Sequence, residues 1–342
     1  MAKKILITGG AGFIGSNYAY RRILNGDDVT IYDDLSRNGA KENLKWVSSK
    51  THGQSFGFIE GDVRDYELLM SVVKGKDVII HLAAQVAVTS SVVNPQFDFS
   101  VNAAGTFNVL EAARAYGEKP LVIYASTNKV YGGIEDIQVV EEETRYSFRD
   151  FPAGVSENQL LDFHSPYGCS KGCGDQYVRD YSRIYDIPTV VFRQSCIYGK
   201  RQFGIEDQGW VAWFVIAAVM HKPITIYGDG KQVRDLLFID DLMNAYDLVV
   251  ERKERVKGLI FNVGGGIENS VSIWQEFGPI LEKIHGKEIS VDFEEWRPGD
   301  QKIYISDISK AKKYLGWSPK ISVEQGLSSL YQWVADNKEL FA

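Results

Sequence analysis

Short apolar runs alternate with longer segments of helical periodicity along the chain as far as Arg193. The runs are rich in Val and Ile and end at Gly or Asp, as buried strands do. After a first strand that ends near Thr8, they predict strands at 28–34, 55–62, 77–84, 120–126 and 187–193. Amphipathic helices are predicted between them, including 102–117 and 166–186. This alternation indicates an α/β fold, a doubly wound parallel sheet with helices on both faces.

The alternation fades after Arg193, and shorter elements follow. The pattern there predicts strands near 224–227 and 259–263, and helices near 209–221, 240–252, 271–285, 307–315 and 323–336. We therefore expect two domains. The first covers 1–193 plus about 234–258, and a smaller C-terminal α/β domain covers about 194–233 and 259–342.

Composition narrows the classes of partner. The chain has 342 residues, 44% of them hydrophobic, and a net charge of −7, which argues against nucleic acid or an anionic membrane surface. No apolar run approaches the length of a membrane span. Three cysteines and an opening that runs straight into a strand favour a reducing cytoplasm. The scattered histidines and cysteines predict no metal site.

The segment TGGAGFIG places three glycines, Gly9, Gly12 and Gly15, between the first strand and a helix. Glycines let backbone N–H groups approach a pyrophosphate, and the helix N-terminus adds partial positive charge. Asp33 ends the second strand, where a carboxylate accepts from both ribose hydroxyls and repels a 2′-phosphate. The pattern predicts a Rossmann domain that prefers NAD to NADP, although Arg37 nearby could soften that preference. Asp62 is either an adenine contact or a helix cap.

Tyr167 and Lys171 are four residues apart at the start of a predicted helix, behind Ser165 and Pro166. Serine can cap a helix and proline suits its first turn. An ammonium one turn away is expected to lower the pKa of the tyrosine, which then serves as a general base. Thr127 follows the fifth strand, at the edge of the sheet where sites form, and can bind the same substrate hydroxyl. A surface Tyr–Lys pair is the alternative.

Together these motifs resemble the extended short-chain dehydrogenase/reductase superfamily of nucleotide-sugar enzymes over nearly the whole chain. The resemblance implies that Thr127, Tyr167 and Lys171 are catalytic and that the lysine holds the nicotinamide ribose. HLAA and NAAGT match further cofactor segments. The predicted NAD-binding residues are Gly9, Gly12, Phe13, Ile14, Gly15, Asp33, Asp34, Ser36, Asp62, Val63, Leu82, Ala83, Ala84, Asn102, Tyr167 and Lys171. Among these, Asp34 also suits a simple turn.

Within this superfamily, the chain resembles the CDP-paratose (CDP-tyvelose) 2-epimerase branch through STNKVYG, LDFHSPYGCSKG and YGKRQFGIEDQGWVAWF. Related 4,6-dehydratases carry Asp-Glu where this chain has Asn128-Lys129, so the usual acid for water elimination is missing. The resemblance implies oxidation at C2 on tightly bound NAD, reduction from the other face, and a role in O-antigen synthesis. A UDP- or GDP-hexose epimerase acting at C4 or C2 would use the same catalytic residues. A non-catalytic NAD sensor is the alternative from another class.

The resemblance also implies the partners. A nucleotide-diphosphate sugar would bind the C-terminal domain, with Arg234 and Arg297 on the diphosphate and Asp300 on a ribose hydroxyl. The predicted substrate-binding residues are Asn128, His164, Gln208, Arg234, Arg297 and Asp300. His164 could instead cap the helix that follows it. Helices 102–117 and 166–186 resemble the pair that forms a dimer interface in the superfamily, which implies a homodimer or homotetramer.

Overall fold

The computed structural model describes residues 2–51, 54, 56–117, 119–297 and 300–341. The chain forms two compact units. The first contains Met1–Val130, Phe163–Arg193 and Met243–Phe261, and the second contains Tyr131–Asp162, Gln194–Leu242 and Asn262–Ala342.

The strands and helices follow in chain order. The strands are β1 Lys4–Thr8, β2 Asp28–Asp33, β3 Gly57–Glu60, β4 Val78–His81, β5 Leu121–Thr127, β6 Val139–Glu141, β7 Tyr146–Phe148, β8 Thr189–Gln194, β9 Ile197–Tyr198, β10 Thr225–Tyr227, β11 Val233–Asp235, β12 Leu237–Phe238, β13 Leu259–Val263, β14 Ser270–Ser272, β15 Asp292–Glu294 and β16 Ile303–Tyr304. The α-helices are α1 Phe13–Leu24, α2 Ala40–Lys50, α3 Tyr66–Val73, α4 Val88–Val93, α5 Pro95–Phe99, α6 Gly105–Ala115, α7 Ser165–Ile184, α8 Trp210–Met220, α9 Ile239–Glu251, α10 Lys253–Val256, α11 Phe277–His285, α12 Ser309–Leu315 and α13 Val323–Asp336. A π-helical turn spans Ser100–Ala104, and 3₁₀ turns span Asn128–Tyr131, Ile267–Asn269 and Lys338–Leu340.

The first unit is built around a seven-stranded sheet, in the part of the chain that the structure describes, with the order β13-β8-β5-β4-β1-β2-β3. Neighbours from β3 through β2, β1 and β4 to β5 pair in parallel. The central strands β1, β4 and β5 are almost wholly buried and rich in Val and Ile, because helices cover a parallel sheet, whereas the edge strand β3 is mostly exposed. One apolar core cluster joins Leu6, Ile79 and Val122 of the sheet to Val109 of α6 and Val178 of α7. The predicted doubly wound α/β fold is confirmed.

The second unit holds small sheets. β11 pairs with β14 in antiparallel fashion and with β16 in parallel, β10 pairs with β15, β12 with β9, and β6 with β7. A small apolar cluster joins Tyr146 of β7, Val233 of β11, and Ile303 and Ile305 at β16.

The domain boundaries predicted from the sequence differ from these units. Residues 131–162, placed by the sequence in the first domain, belong to the second unit, as do 234–242. The reason is backbone pairing: the Val155 N–H donates to the Ile305 carbonyl at 2.7 Å, and the Tyr146 N–H donates to the Lys231 carbonyl at 3.1 Å. Periodicity alone carries no signal for such long-range bonds.

The helix predicted over 271–285 is wrong in its first part. Residues 270–272 form β14, and α11 begins only at Phe277. A reciprocal contact closes the turn between them: the Ser272 N–H donates to the Glu276 carboxylate, and the Glu276 N–H donates to the Ser272 hydroxyl, each at 2.9 Å. The helix predicted over 102–117 likewise opens with the π-helical turn rather than a regular α-helical one.

Two observations bear on membranes and metals. Within the described ranges, no helix combines the length and apolar composition that a membrane crossing requires. Among the same residues, no group of His, Cys, Asp or Glu side chains is arranged to hold a metal ion.

A buried ion pair joins α7 to the sheet, and its removal is expected to destabilise the protein. Arg193 donates from Nε and Nη2 to the two carboxylate oxygens of Asp175, each at 2.9 Å, and both side chains are buried. Arg193→Met leaves that carboxylate buried without its partner. We expect urea denaturation to show a loss of about 3–5 kcal/mol in the free energy of unfolding.

The matched control is Lys119→Met, which removes an exposed ion pair with Asp186. Exposed pairs contribute about 0–1 kcal/mol. Equal effects of the two substitutions would contradict the assignment of Arg193 as a structural anchor.

Candidate active site

The glycine turn between β1 and α1 is closed on one side and open on the other. Gly9 has φ 69°, and a Cβ there would lie 2.7 Å from the Ala83 nitrogen. A Cβ on Gly15 would collide with the Gly9 carbonyl oxygen. At Gly12, the N-terminal cap of α1, a Cβ would meet only that same oxygen within 4 Å, at 3.1 Å. The turn therefore leaves room beside the first N–H groups of α1, where an anionic group binds well.

Asp33 anchors this turn. Its carboxylate, at the end of β2, accepts from the Ala11 N–H at 2.9 Å and from the Leu35 N–H at 2.8 Å. Burial raises the pKa of Asp33, and these backbone hydrogen bonds oppose the shift. A carboxylate has about four acceptor positions, so positions remain for ribose hydroxyls. The ribose contact of Asp33 stays a prediction, and the sequence did not show its role in holding the turn.

The loop after β2 contains two more predicted cofactor residues. Asp34 accepts from the Ser36 hydroxyl at 2.6 Å and from the Ser36 N–H at 3.0 Å, which is the turn geometry that the sequence also allowed. Arg37 follows; desolvation lowers its pKa, while Tyr167 and Asp33 oppose that effect electrostatically. The cofactor contacts of Asp34 and Ser36 stay predictions.

Asp62 follows β3 and pairs with Arg64. The guanidinium Nε lies 2.9 Å from one carboxylate oxygen, and its hydrogen bonds hold the pKa of Asp62 below its ordinary range. The cap of α3 is Asp65, whose carboxylate accepts from the Leu68 N–H at 3.0 Å. The alternative that Asp62 caps a helix is therefore wrong, and the adenine contact stays a prediction.

His81 fixes the segment that faces the glycine turn. Its Nδ1 lies 2.7 Å from the Thr8 hydroxyl and its Nε2 lies 3.0 Å from the Thr106 hydroxyl. Thr106 donates its own proton to the Asn102 carbonyl at 2.5 Å, so Nε2 donates to Thr106 and Nδ1 accepts from Thr8. Burial lowers the pKa of His81 to about 3, which keeps the ring neutral. This network ties β1, β4 and the π-helical turn together.

The remaining predicted cofactor residues lie around this network. Asn102 is buried, and its carboxamide exchanges hydrogen bonds with the Gln85 backbone at 2.9 and 3.0 Å. Those that follow β4 or β3, or begin α1, are Leu82, Ala83, Ala84, Val63, Phe13 and Ile14. Their contacts with NAD stay predictions.

The residues predicted to be catalytic come from β5 and α7. Thr127 ends β5, and Tyr167 and Lys171 occupy the first turns of α7. Ser165 has φ 64°, and its hydroxyl accepts from the Gly168 N–H at 3.2 Å, so the serine caps the helix as expected. All three side chains belong to the first unit, as do the glycine turn and Asp33.

The expected pKa of Tyr167 is wrong. Desolvation raises the pKa of Tyr167 to about 12, a hydrogen bond with Thr127 opposes the rise, and Asp98 adds to it. Burial lowers the pKa of Lys171 to about 7, while Asp175 and Asp98 oppose that fall. The Lys171 ammonium lies 4.2 Å from the centre of the Tyr124 ring. Sequence spacing showed that the two residues share a helix but not that burial is the largest influence on both pKa values.

The predicted substrate residues of the second unit form ion pairs. Buried Arg234 donates to Asp300 at 2.8 Å. The Arg297 guanidinium lies 3.9 Å from the centre of the Tyr227 ring and 3.3 Å from Asp207. Sequence reasoning did not single out Tyr227, which no motif marked, or Asp207, although Asp207 lies within the matching run YGKRQFGIEDQGWVAWF. Pro298 and Gly299, between the two predicted residues, lie outside the described residues.

Three other predicted substrate residues are placed as follows. Asn128 is buried beside Thr127, whose hydroxyl donates to its side-chain oxygen at 3.3 Å. His164 is exposed and makes no capping hydrogen bond from its side chain, so that alternative is wrong. Gln208 precedes α8, and its backbone exchanges two hydrogen bonds with Ile205. Contact of these residues with a substrate stays a prediction.

Known proteins resemble this chain over nearly all its length. The family model for GDP-mannose 4,6 dehydratase matches residues 6–330. CDP-paratose 2-epimerase of Salmonella typhi is 44% identical over 97% of this chain and 99% of that protein. UDP-glucose 4-epimerase of Thermotoga maritima, solved with UDP-glucose, has a TM-score of 0.83 at 31% identity, over 98% of this chain and 99% of that one. A dTDP-glucose 4,6-dehydratase of Streptomyces venezuelae, solved with NAD, has a TM-score of 0.82 at 28% identity, over 98% of each chain. The resemblance predicted from the sequence is confirmed.

The buried Lys171 ammonium is expected to make stability depend on pH. The pKa of Lys171 is about 7 in the folded chain, against an ordinary value of 10.5. As pH falls from about 10.5 to about 7, Lys171 becomes protonated in the unfolded chain but stays largely neutral in the folded chain. The free energy of unfolding of wild type therefore decreases over this range. Lys171→Met removes that penalty. Urea denaturation over this range should show the variant gaining stability relative to wild type as pH falls.

The control is Lys45→Met, which removes an exposed lysine of α2. A difference between Lys171→Met and wild type that stays constant from about pH 10 to about pH 6 would contradict the prediction.

Proposed function

Because the chain belongs to the GDP-mannose 4,6-dehydratase family of extended short-chain dehydrogenases/reductases, we propose that it is an NAD-dependent epimerase of nucleotide sugars. Its substrate is a CDP-activated hexose inverted at C2, with CDP-paratose converted to CDP-tyvelose. The observation that carries this assignment is the 44% identity, over 97% of the chain, to a CDP-paratose 2-epimerase. Related CDP- and GDP-hexoses are further substrates to test.

The residues after Thr127 support epimerisation rather than dehydration. Loss of water from a sugar needs a general acid, and this chain has Asn128 and Lys129 where related dehydratases carry Asp and Glu. Asn128 is buried and cannot donate a proton as a carboxylic acid does. Inversion at C2 needs less: a base, an orienting hydroxyl and a hydride acceptor.

NAD fits the first unit. The open side at Gly12 accommodates a pyrophosphate against the N-terminus of α1, and the Asp33 carboxylate suits the two ribose hydroxyls of NAD. The same carboxylate disfavours the 2′-phosphate of NADP. When bound, NAD supplies the acceptor for the C2 hydride and a fixed positive charge. Tight retention follows from the chemistry, since an epimerase must return the hydride to the same sugar.

Three side chains carry the proton chemistry. Tyr167 accepts the proton of the C2 hydroxyl at its phenolic oxygen, and Thr127 orients that hydroxyl. Because the pKa of Tyr167 is raised to about 12, its phenolate needs positive charge nearby, and Lys171 is placed one helical turn away. When the sugar is reduced from its other face, Tyr167 returns the proton.

The second unit supports a diphosphate-linked substrate. Arg234 and Arg297 present guanidinium groups, which match phosphate oxygens, and the Tyr227 ring beside Arg297 offers an apolar face to a nucleobase. Each arginine forms an ion pair with a carboxylate, Arg234 with Asp300 and Arg297 with Asp207. A bound diphosphate would take the place of these carboxylates as the anionic partner.

The test of this function uses CDP-paratose in D₂O with no added NAD, followed at C2 by NMR. We expect CDP-tyvelose that keeps protium at C2, because the hydride travels on a cofactor purified with the protein. Tyr167→Phe should lower turnover by about 10²–10⁴-fold, the range for a lost general base, while NAD binding persists. Tyr177→Phe, on the exposed face of the same helix, is the matched control and should keep full turnover.

Other outcomes would change the assignment. Deuterium at C2 would exclude internal hydride transfer. Turnover of UDP- or GDP-hexoses but not of CDP-paratose would be consistent with the proposed mechanism but would contradict the proposed substrate. Full turnover in Tyr167→Phe would contradict the role of the tyrosine, and no turnover of any nucleotide sugar would favour a non-catalytic NAD sensor.

We also propose a homodimer through the first unit. α6 and α7 expose large apolar side chains, with Phe107 42% and Tyr177 46% exposed, and their rings meet edge to face at 5.8 Å. A second copy would bury such a face, as the sequence resemblance implied for these helices.

Charge on this face should disrupt the dimer. The double variant Phe107→Arg, Tyr177→Arg is expected to halve the mass measured by light scattering after size-exclusion chromatography. The dimer would have to bury unpaired arginines from both copies in one interface, which is costly. Phe293→Arg, at an exposed apolar residue of the second unit, is the control and should leave the mass unchanged. A monomeric wild type would contradict the proposal.

A further inference from the structure

Lys171 lies in a buried setting with several charged and titratable neighbours. From its own helix Asp175 acts on it, Tyr167 lies one turn before it, and α5 contributes Asp98. From the sheet, β4 contributes His81 and β5 contributes the Tyr124 ring, above which the ammonium sits. His81 is neutral, so the negative charge near the ammonium comes from the two aspartates.

The two aspartates differ in their partners. Asp175 already balances Arg193, which donates to both of its oxygens, and it also accepts from the Ser126 hydroxyl at 2.8 Å. Asp98 is fully buried, and the donors that reach it are neutral. A buried carboxylate needs positive charge to stay ionised, and Lys171 is the cation that acts on it.

The donors around Asp98 suit a carboxylate rather than a carboxylic acid. The Ser170 hydroxyl donates to one oxygen at 2.5 Å, and the Asn102 amide nitrogen donates to the other at 3.1 Å. The Ser170 hydroxyl has a second acceptor in the Tyr167 carbonyl, but that oxygen is more distant, at 3.2 Å, so Asp98 is its closer acceptor. An ionised Asp98 accepts from both donors through its two oxygens, whereas a protonated acid would occupy one of those oxygens with its own proton.

The backbone around Asp98 is also unusual. α5 ends at Phe99 and the π-helical turn Ser100–Ala104 follows at once, so Asp98 and Asn102 lie on either side of that junction. A π-helical turn is rare and often accompanies a functional site. Here both residues bond to Ser170, the residue that precedes Lys171 on α7.

We propose that Asp98 is a positioning residue for proton transfer, which holds the first turns of α7 through Ser170 and supplies the negative charge that keeps Lys171 protonated in its buried site. The inference rests on the proposed function only for its catalytic consequence. The coupling between Asp98 and Lys171 is a property of the chain itself.

The direct test measures the pKa of Lys171 in the purified protein, without substrate. Lysine labelled with ¹³C at Cε is titrated by NMR, and Lys171→Met identifies the Lys171 signal. Asp98→Asn keeps the size of the side chain and removes its charge. We expect the Lys171 midpoint to fall by about one pH unit or more, since an opposite charge nearby shifts a pKa by about 1–3 units. An unchanged midpoint would overturn the proposal.

Ser170→Ala separates the charge from the hydrogen bond. It removes the contact between α7 and Asp98 but keeps the carboxylate, so the Lys171 midpoint should stay nearer that of wild type than of Asp98→Asn. Asp98→Glu, which retains the charge, should also keep the midpoint close to wild type. If Asp98→Asn does not fold, as judged by circular dichroism, Asp98→Ser provides the same loss of charge in a smaller side chain.

The kinetic readout is the pH profile of epimerisation. Activity needs protonated Lys171, so the alkaline limb of the kcat/KM profile should move to lower pH in Asp98→Asn by the same interval as the NMR midpoint. KM for CDP-paratose should stay unchanged while kcat falls, because Asp98 is proposed to act through Lys171 rather than on the sugar. A uniform loss of activity at every pH would indicate a structural role and overturn the proposal.

The two readouts distinguish the two proposals. A shifted NMR midpoint in a protein that turns over no nucleotide sugar would sustain the coupling of Asp98 to Lys171 and refute the proposed function. Epimerase activity with an unshifted Lys171 midpoint would support the proposed function and refute the coupling of Asp98 to Lys171.

Discussion

Burial of positive charge is the constraint on which the first unit depends. Lys171 and Arg193 are both buried, and a buried cation is tolerated only beside negative charge. Asp175 lies one turn after Lys171 on α7 and binds Arg193 of β8, while its contact with Ser126 reaches the residue before Thr127. The same ion pair that holds α7 against the sheet therefore also sets the position of the threonine predicted to orient the substrate.

Charged side chains occur in two kinds of environment in this chain. Asp33 of the first unit and Asp235 of the second are buried and accept hydrogen bonds from backbone N–H groups. Arg297 and Asp207 instead meet at a partly exposed surface, where an ion pair contributes little to stability. This difference is consistent with the proposed function, in which NAD stays bound and the nucleotide sugar exchanges.

Much of the first unit could be predicted from the sequence because its signals are local. Val- and Ile-rich runs mark β1, β2, β4 and β5, and the spacing of Tyr167 and Lys171 requires only knowledge of the helix. What failed depends on distant groups. The pKa of Tyr167 is set by burial and by Asp98, which comes from another helix. The assignment of 131–162 to the second unit depends on pairing of Val155 with residues near β16. Asp175 could have been predicted, since it follows Lys171 at helical spacing within the predicted helix 166–186.

The double duty of Asp33 has a consequence for cofactor engineering. Its carboxylate is both the acceptor suited to a ribose and the group that holds Ala11 of the glycine turn. Exchanging this aspartate for a small neutral residue would remove the repulsion of a 2′-phosphate, but it would also release the glycine turn that is proposed to hold the pyrophosphate. A redesign of cofactor preference that replaces Asp33 must therefore supply another acceptor for the Ala11 N–H. Substitutions at Arg37 instead would keep Asp33 and its hydrogen bonds to the turn.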